Sequence, residues 1–411
     1  MVRHCMRSGI AVYVSDGAAL EDEDRRELEG LGVAYEEGGH TGRALTGCDL
    51  VIPSPAVPPD HPILVEARRR SIPVRSEVEY AAALLAPIPM IAVTGTNGKT
   101  TTVRLLAALL DSAGEPNVVA GNVGVPLISV LTEARAAATI ILEVSSFQLA
   151  QSESFRPHVG VLLNVSPDHV EYHRSYDAYV AAKRKLFAQQ GPEDWAVLPR
   201  GLAQLAAESR SRCSFYDELD LAGVPAAAGL PAHHLSNLQA ALCACRARDP
   251  AFEMTRIAAR TVAEAMAAPH RLAHVGSLDG IGVINDSKST NAASACAALD
   301  SVPGPVILLL GGRHKAEGYE ALAEHIASSN VRHVVVFGEA AAFLEGHLER
   351  VGVSRCTRCT GLAEAVNAGL HAAQPGDTLL FSPACASFDE FADYEERGVA
   401  FVSLVRGLGM T

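Results

Sequence analysis

An α/β fold with mostly parallel sheets is predicted for this chain by two observations. Short runs of Val, Ile and Leu alternate along its whole length with Ala- and Leu-rich stretches, the pattern of strands covered on both faces by helices. Hydrophobic residues make up 48% of the chain and charged residues 20%, which excludes a disordered or collagen-like protein. At roughly 100 to 200 residues per domain, 411 residues should divide into about two to four domains with sizeable cores.

In chain order, the first block has candidate strands at Ile10 to Val14, Leu50 to Pro53 and Pro73 to Val74, then an Ala-rich helix that stops at Pro87-Ile88-Pro89. Proline lacks the helical N–H and clashes with the preceding turn, so the first domain is bounded at residues 1–87. The second block, 88–268, opens with Met90-Ile91-Ala92-Val93-Thr94, has further strands at Thr139 to Val144 and Gly160 to Asn164, and ends at the Ala268-Pro269 junction. The third, 269–411, has strands at Gly282 to Asn285, Val306 to Leu310, His333 to Phe337 and Thr378 to Ser382, with helices between them.

The charge balance narrows the partners. Lys and Arg number 34 against 47 Asp and Glu, a net charge of -13, so the field of the whole protein repels nucleic acid and anionic membranes. Aromatics at 5% leave few platforms for stacking single-stranded bases. Nine cysteines without a paired framework fit a reducing compartment, and a cytoplasmic protein is expected. Cys356-Thr357-Arg358-Cys359 comes nearest to a metal knuckle, but it has no second pair and reads as structural. No apolar run approaches the ~20 residues that span a bilayer, and the first eight residues lack the apolar core of a signal peptide.

The strand Ile91 to Thr94 runs into Gly95-Thr96-Asn97-Gly98-Lys99-Thr100-Thr101 and then into a helical run from Val103 to Leu110. Strand, glycine loop and helix in that order make a phosphate cradle. Glycines let backbone N–H groups crowd the phosphates, the helix N-terminus adds positive potential, Lys99 reaches the terminal phosphates and Thr100 can ligate Mg2+. Val93 stands where the general pattern has its first glycine, so this is a variant form of the loop.

The next apolar strand delivers Glu143 near its carboxyl end, where open parallel sheets bind ligands and where a carboxylate beside phosphates usually holds Mg2+. Val159 to Asn164 ends in Val165-Ser166-Pro167-Asp168-His169; taken alone, His169 is as readily a packed or exposed histidine. His169-Val170-Glu171-Tyr172-His173 is not a zinc-protease motif, because the glutamate comes one residue too late. In the third block, Asn285-Asp286-Ser287-Lys288-Ser289-Thr290-Asn291, Gly311-Gly312-Arg313-His314-Lys315 and Ser382 to Asp389 each follow a strand. Lys288, Lys315 and Ser387 at such strand ends would suit an anionic small molecule.

Taken together, these motifs resemble the Mur ligase family. The shortened phosphate loop, Gly121-Asn122-Val123-Gly124, Leu142-Glu143-Val144-Ser145-Ser146-Phe147-Gln148-Leu149, Asn164 to His169, Pro269-His270-Arg271 and Asn285 to Asn291 match in order. Ser382-Pro383-Ala384-Cys385-Ala386-Ser387 with Phe391 and Arg397-Gly398 is similar to the signature of the D-glutamate-adding branch. The resemblance implies three domains: an incomplete Rossmann-like N-terminal domain, a central P-loop ATPase domain and a C-terminal Rossmann-like domain. It implies ATP and two Mg2+ as cofactors, UDP-N-acetylmuramoyl-L-alanine and D-glutamate as substrates, an acyl-phosphate intermediate and a monomer.

It also implies residue roles. Gly95, Thr96, Asn97, Gly98, Lys99, Thr100, Thr101, Asn237, Arg271 and Asp286 would bind ATP, with Lys99, Glu143, His169 and Lys183 catalytic. Thr100, Glu143, His169 and a carbamylated Lys183 would hold metal. From the residues alone, Lys183 and Lys185 could equally be solvated helix positions. Asp16, Ser54, Asn122, Ser145 and His169 would meet the uridine-bearing substrate, and Thr290, Lys315, Ser387, Phe388 and Tyr394 the D-glutamate.

Two departures stand out. His234 occupies a position where the family usually has Asn, and Gly9 to Asp16 reads as the family's second strand, with no counterpart of the glycine loop that precedes it. Weak binding of the uridine-bearing substrate is therefore expected. A nucleotide-binding protein without ligase activity and a folate-polyglutamylating ligase are the alternative readings.

Overall fold

The computed structural model describes residues 1–122, 125–228, 230–267, 269–314 and 319–409; the side chain of His233 also lies outside the description. By internal contacts the chain forms two compact units. One comprises Met1–Val165, Tyr172–Ala228 and Leu235–Val262, and the other Ser166–Glu171, Gly229–His234 and Ala263–Thr411.

The first unit starts with a small parallel pair, β1 (Tyr13–Ser15) and β2 (Ala34–Glu36). Here the sequence expectation needs correction. Ile10 is 44% exposed and lies outside β1, because the helix Val2–Arg7 ends in a turn at Gly9 with φ +70°. The strands expected at Leu50 to Pro53 and Pro73 to Val74 reduce to one parallel bridge between Val51 and Val74. Pro53 and Pro73 cannot donate to a ladder, which ends pairing there. The helix Glu77–Leu85 follows, capped by the Ser76 hydroxyl accepting from Glu79 N.

The main sheet of this unit contains β3 (Met90–Thr94), β4 (Asn117–Gly121), β5 (Thr139–Glu143), β6 (Val159–Leu162), β7 (Trp195–Leu198) and β8 (Arg212–Phe215) in the order β4-β5-β3-β6-β7-β8, all parallel. β3, β5 and β6 are buried throughout, as strands covered on both faces must be. The chain winds one way from β3 through β4 and β5 and the other way through β6 to β8. The carboxyl ends of β3, β5 and β6 therefore flank the reversal point where such sheets bind ligands. Gly160 in β6 lets the helix Tyr176–Ala188 approach closely, since a Cβ there would lie 3.1 Å from atoms of Leu186 and Phe187.

The second unit holds β9 (Ala273–Leu278), β10 (Ile281–Asn285), β11 (Val306–Gly311), β12 (Val331–Phe337), β13 (Cys356–Arg358) and β14 (Thr378–Ala384), ordered β13-β12-β11-β14-β10-β9. Among the described strand ladders of this sheet only β9 is antiparallel, hairpinned onto β10 at one edge. One face of the sheet packs Leu308, Val334 and Val336 with Cys356, and the other packs Ile307, Leu309 and Val335 with Cys359. The two cysteines of the Cys356 to Cys359 motif thus pack into the clusters of opposite faces. Among the described residues no helix is long and apolar enough to cross a membrane.

Candidate active site

The phosphate loop is shaped by its neighbours before any ligand arrives. Gly98, with φ +87°, begins the helix Lys99–Ser112, and a Cβ there would lie 2.4 Å from Asn237 Oδ1. Asn97 N donates to Asn164 Oδ1 at 2.9 Å and Asn164 Nδ2 returns a bond to the Asn97 carbonyl at 3.1 Å, pinning the loop just beyond the end of β6. The Thr96 and Tyr179 hydroxyls are 2.8 Å apart. Lys99 Nζ donates to the Gly95 and Thr96 carbonyls, both at 2.9 Å, so the ammonium is held over the loop.

Glu143 ends β5 and is 2% exposed. Its carboxylate accepts from Thr100 Oγ1 at 2.8 Å and from Asn122 Nδ2 at 3.0 Å, and its carbonyl accepts from Asn122 N at 2.8 Å. Residues 21 and 43 positions away in sequence are thereby drawn to one strand end. A carboxylate and a hydroxyl oxygen beside a phosphate loop are hard ligands that fit Mg2+, which takes one or two carboxylates and completes its shell with water and phosphate. Among the described residues no three His, Cys, Asp or Glu side chains converge.

Lys183 is 1% exposed, which removes the solvated alternative. Its Nζ lies 3.5 Å from Thr94 Oγ1 and 4.7 Å from the centre of the Tyr179 ring. Lys185 points elsewhere and donates to the Ala150 carbonyl at 2.7 Å, with burial drawing its pKa down. The Ser145 side chain caps the helix Ser146–Ala150, accepting from Gln148 N at 3.2 Å in a reciprocal capping box. Phe147 stacks on Tyr172 at 4.0 Å, and the Tyr172 hydroxyl donates to the Val57 carbonyl at 3.0 Å; burial pushes its pKa up to about 12.

The candidate uridine contacts are at the surface. Exposed Asp16 accepts from Ala18 N at 2.8 Å directly after β1, and exposed Ser54 accepts from Val57 N through its carbonyl at 3.0 Å. Beside them is a polar cluster that sequence reasoning missed. Glu36 accepts from the Thr41 hydroxyl at 2.5 Å and the Ser15 hydroxyl at 2.7 Å, and these bonds hold its pKa down at about 2. The Ser15 hydroxyl also meets His40 Nδ1 at 2.7 Å.

Other candidates belong to the second unit. His169 has φ +57°, its N–H donates to Asp168 Oδ1 at 3.0 Å, and its Nε2 lies 3.6 Å from Asp168 Oδ2. Asp286 is buried at the end of β10 and accepts from Ser382 Oγ at 2.8 Å and Leu272 N at 3.1 Å. Burial outweighs these bonds and the nearby Arg271 charge, pushing its pKa up to about 6. Thr290 is half-buried and Ser387 is buried, its carbonyl accepting from Phe391 N at 2.9 Å, while Phe388 is 63% exposed. The Tyr394 hydroxyl donates to Glu395 Oε1 at 3.0 Å, and Lys288 Nζ sits 5.3 Å from its ring centre. Lys315 lies outside the described residues, as do Val123 and Gly124. The ATP candidates are therefore divided: Asn237 accompanies the phosphate loop, and Arg271 and Asp286 belong to the second unit. Sequence reasoning also gave no role to Asn164 or Tyr179, whose contacts with the loop come from distant chain positions.

Comparison with known proteins yields three matching family models: the MurD N-terminal domain over residues 4–63, the Mur ligase middle domain over 93–220, and the Mur ligase, glutamate ligase domain over 270–385. The UDP-N-acetylmuramoylalanine--D-glutamate ligase of Acidobacterium capsulatum is 36% identical, with 97% of this chain and 92% of the relative covered. The protein of the same description from Desulfotalea psychrophila is 38% identical, with coverage of 94% and 90%. Among solved structures, the Thermotoga maritima MurF ligase in complex with ADP superposes with TM-score 0.62 at 16% identity, covering 96% of this chain and 95% of that one. The Mycobacterium tuberculosis folylpolyglutamate synthase complexed with ADP gives 0.58 at 14%, covering 83% and 98%. At these identities the structural likeness shows the fold.

Proposed function

The chain belongs to the Mur ligase family, and from that premise we propose that it uses ATP to join D-glutamate to UDP-N-acetylmuramoyl-L-alanine during peptidoglycan precursor synthesis. An L-alanyl carboxylate is a poor acyl donor until one oxygen becomes a leaving group. That carboxylate attacks the γ-phosphorus of ATP, ADP departs, and an acyl phosphate remains. The amine of D-glutamate then attacks the acyl carbon, expelling phosphate and leaving an amide.

The observation that supports this reading best is the meeting of Thr100, Asn122 and Glu143 beyond a phosphate loop already held open by Asn97 and Asn164. In phosphoryl transfer the protein works by positioning and by charge already in place. Lys99, one residue into the helix Lys99–Ser112, supplies a cation for the terminal phosphates, and the loop amides supply oriented dipoles. Thr100 and Glu143 would hold one Mg2+ and His169 a second, and a carbamylated Lys183 would offer a further anionic ligand; bound there, Mg2+ would neutralise charge on the transferring phosphoryl group. Asn122 would keep the Glu143 carboxylate turned to its task, while Tyr179 would keep Thr96 and Lys183 in place. Asn237, Arg271 and Asp286 would contact the nucleotide, and Thr290, Lys315, Ser387, Phe388 and Tyr394 the D-glutamate. We further propose a cytoplasmic monomer.

The test measures phosphate release from ATP in the presence of UDP-N-acetylmuramoyl-L-alanine, D-glutamate, both or neither. Release that requires both, with product of the added mass, is expected. Release indifferent to D-glutamate would overturn the substrate assignment, and ATP binding without release would favour the nucleotide-binding reading.

A further inference from the structure

In the second unit, Arg397 of the helix Tyr394–Gly407 is 1% exposed and the bulkiest of the fully buried side chains among the described residues. Its guanidinium lies where three strand ends meet. Nε donates to Ser287 Oγ at 3.1 Å and Nη2 to the Ser287 carbonyl at 2.8 Å, just after β10. Nη1 donates to the Cys385 carbonyl at 3.0 Å, just after β14, and at 3.5 Å reaches the Gly311 carbonyl that ends β11. The neighbouring backbone leaves no slack, since a Cβ on Gly312 would lie 2.2 Å from the Ala386 carbonyl oxygen and 3.0 Å from Arg397 Nη1.

All of these acceptors are neutral. Burial draws the guanidinium's pKa down to about 10, against the opposing pull of Cys385, Asp389 and Glu390, and it stays a cation at neutral pH. A buried cation that serves only to fill space is poorly suited to that task, because an apolar side chain of similar volume avoids the desolvation cost. A planar fork of fixed donors, by contrast, can set the spacing of separate backbone segments. Two of the segments it ties, and its own helix, carry D-glutamate candidates nearby. Thr290 follows Ser287, Ser387 and Phe388 follow Cys385, and the Tyr394 carbonyl accepts from Ser287 Oγ at 2.8 Å.

We propose that Arg397 is a positioning residue for D-glutamate, its guanidinium holding the chain ends after β10, β11 and β14 in the one arrangement that accepts the amino acid. The proposal rests on the ligase reading above. Its test is steady-state phosphate release by the wild-type chain and by the Arg397→Lys and Ser287→Ala variants, with KM taken separately for D-glutamate, ATP and the uridine-bearing substrate, and with thermal melting alongside. Arg397→Lys keeps the charge and loses the fork. Its KM for D-glutamate should rise on the order of tenfold, with KM for ATP held within about twofold. Ser287→Ala removes one of the guanidinium's anchors and should shift the same constant in the same direction by roughly threefold. Unselective changes in every KM, or a lowered melting temperature with unchanged constants, would reduce Arg397 to a packing element and overturn the proposal. Should Arg397→Lys fail to fold, Ser287→Ala decides by the same criterion. A wild-type chain whose phosphate release ignores D-glutamate overturns the ligase reading and this proposal with it, whereas an active wild type with unselective variants overturns this proposal alone.

Discussion

Replacing Gly98 by Ala should cost the phosphate loop more than it costs the fold. At φ +87° an L side chain is disfavoured by about 1–2 kcal/mol from backbone sterics alone. The added Cβ would also stand 2.4 Å from Asn237 Oδ1 and 3.1 Å from Leu163 Cδ1. Leu163 is buried and cannot retreat far, so Asn237 or the loop must move, which adds about 1–2 kcal/mol for a displaced buried polar group. The sum of about 2–4 kcal/mol corresponds to roughly 30- to 1000-fold in nucleotide affinity if the loop takes up the strain. Gly114 supplies the control, since it has φ +75° but nothing within 4 Å of an added Cβ. Gly114→Ala should carry only the backbone cost and leave nucleotide affinity alone. Calorimetric titration of both variants with ADP, alongside thermal melts, reads the difference. If Gly98→Ala bound ADP within about twofold of wild type and melted no lower than Gly114→Ala, the tight loop geometry would be wrong.

Further outcomes follow from the same geometry. Lys99→Ala should lower ATP-dependent turnover by on the order of 10²–10³-fold while melting stays near wild type, as measured by phosphate release and thermal unfolding. Lys183→Ala should lower activity about 10- to 100-fold, and added formate or acetate should restore part of it if a carbamate oxygen is the missing group; intact mass of the active enzyme checks the modification directly. Asp286 has a folded pKa of about 6, above its ordinary value, so its stabilising protonated form is complete below about pH 4 and is lost as pH rises through 6. From well below pH 4 to well above pH 6, wild-type stability should fall by about 3 kcal/mol relative to Asp286→Asn, as read from urea melts at several pH values.

The sequence by itself determined the fold class, the buried strands of both main sheets and the strand, glycine loop and helix running from Met90 to Ser112, because each is encoded locally. A run such as Val306 to Leu310 is apolar enough to demand burial on both faces, and glycines between a strand and a helix mark a tight loop that opens the helix at Lys99. Local pattern misjudged Leu50 to Pro53 and Pro73 to Val74, where apolar residues are present but prolines leave only the Val51–Val74 bridge. It passed over β2, β4, β7, β8, β9 and β13: most are of mixed composition that carries little signal, and β7, though apolar, is only four residues long. Only the tertiary structure showed that Lys183 is buried while Lys185, on the same helix, turns to the Ala150 carbonyl. The same holds for Glu143 with Thr100, 43 positions away, and for Arg397 with Ser287, 110 positions away. Residue types announce what chemistry is available, but burial, desolvation and hydrogen-bond partners at such separations come into being only when the sheets close.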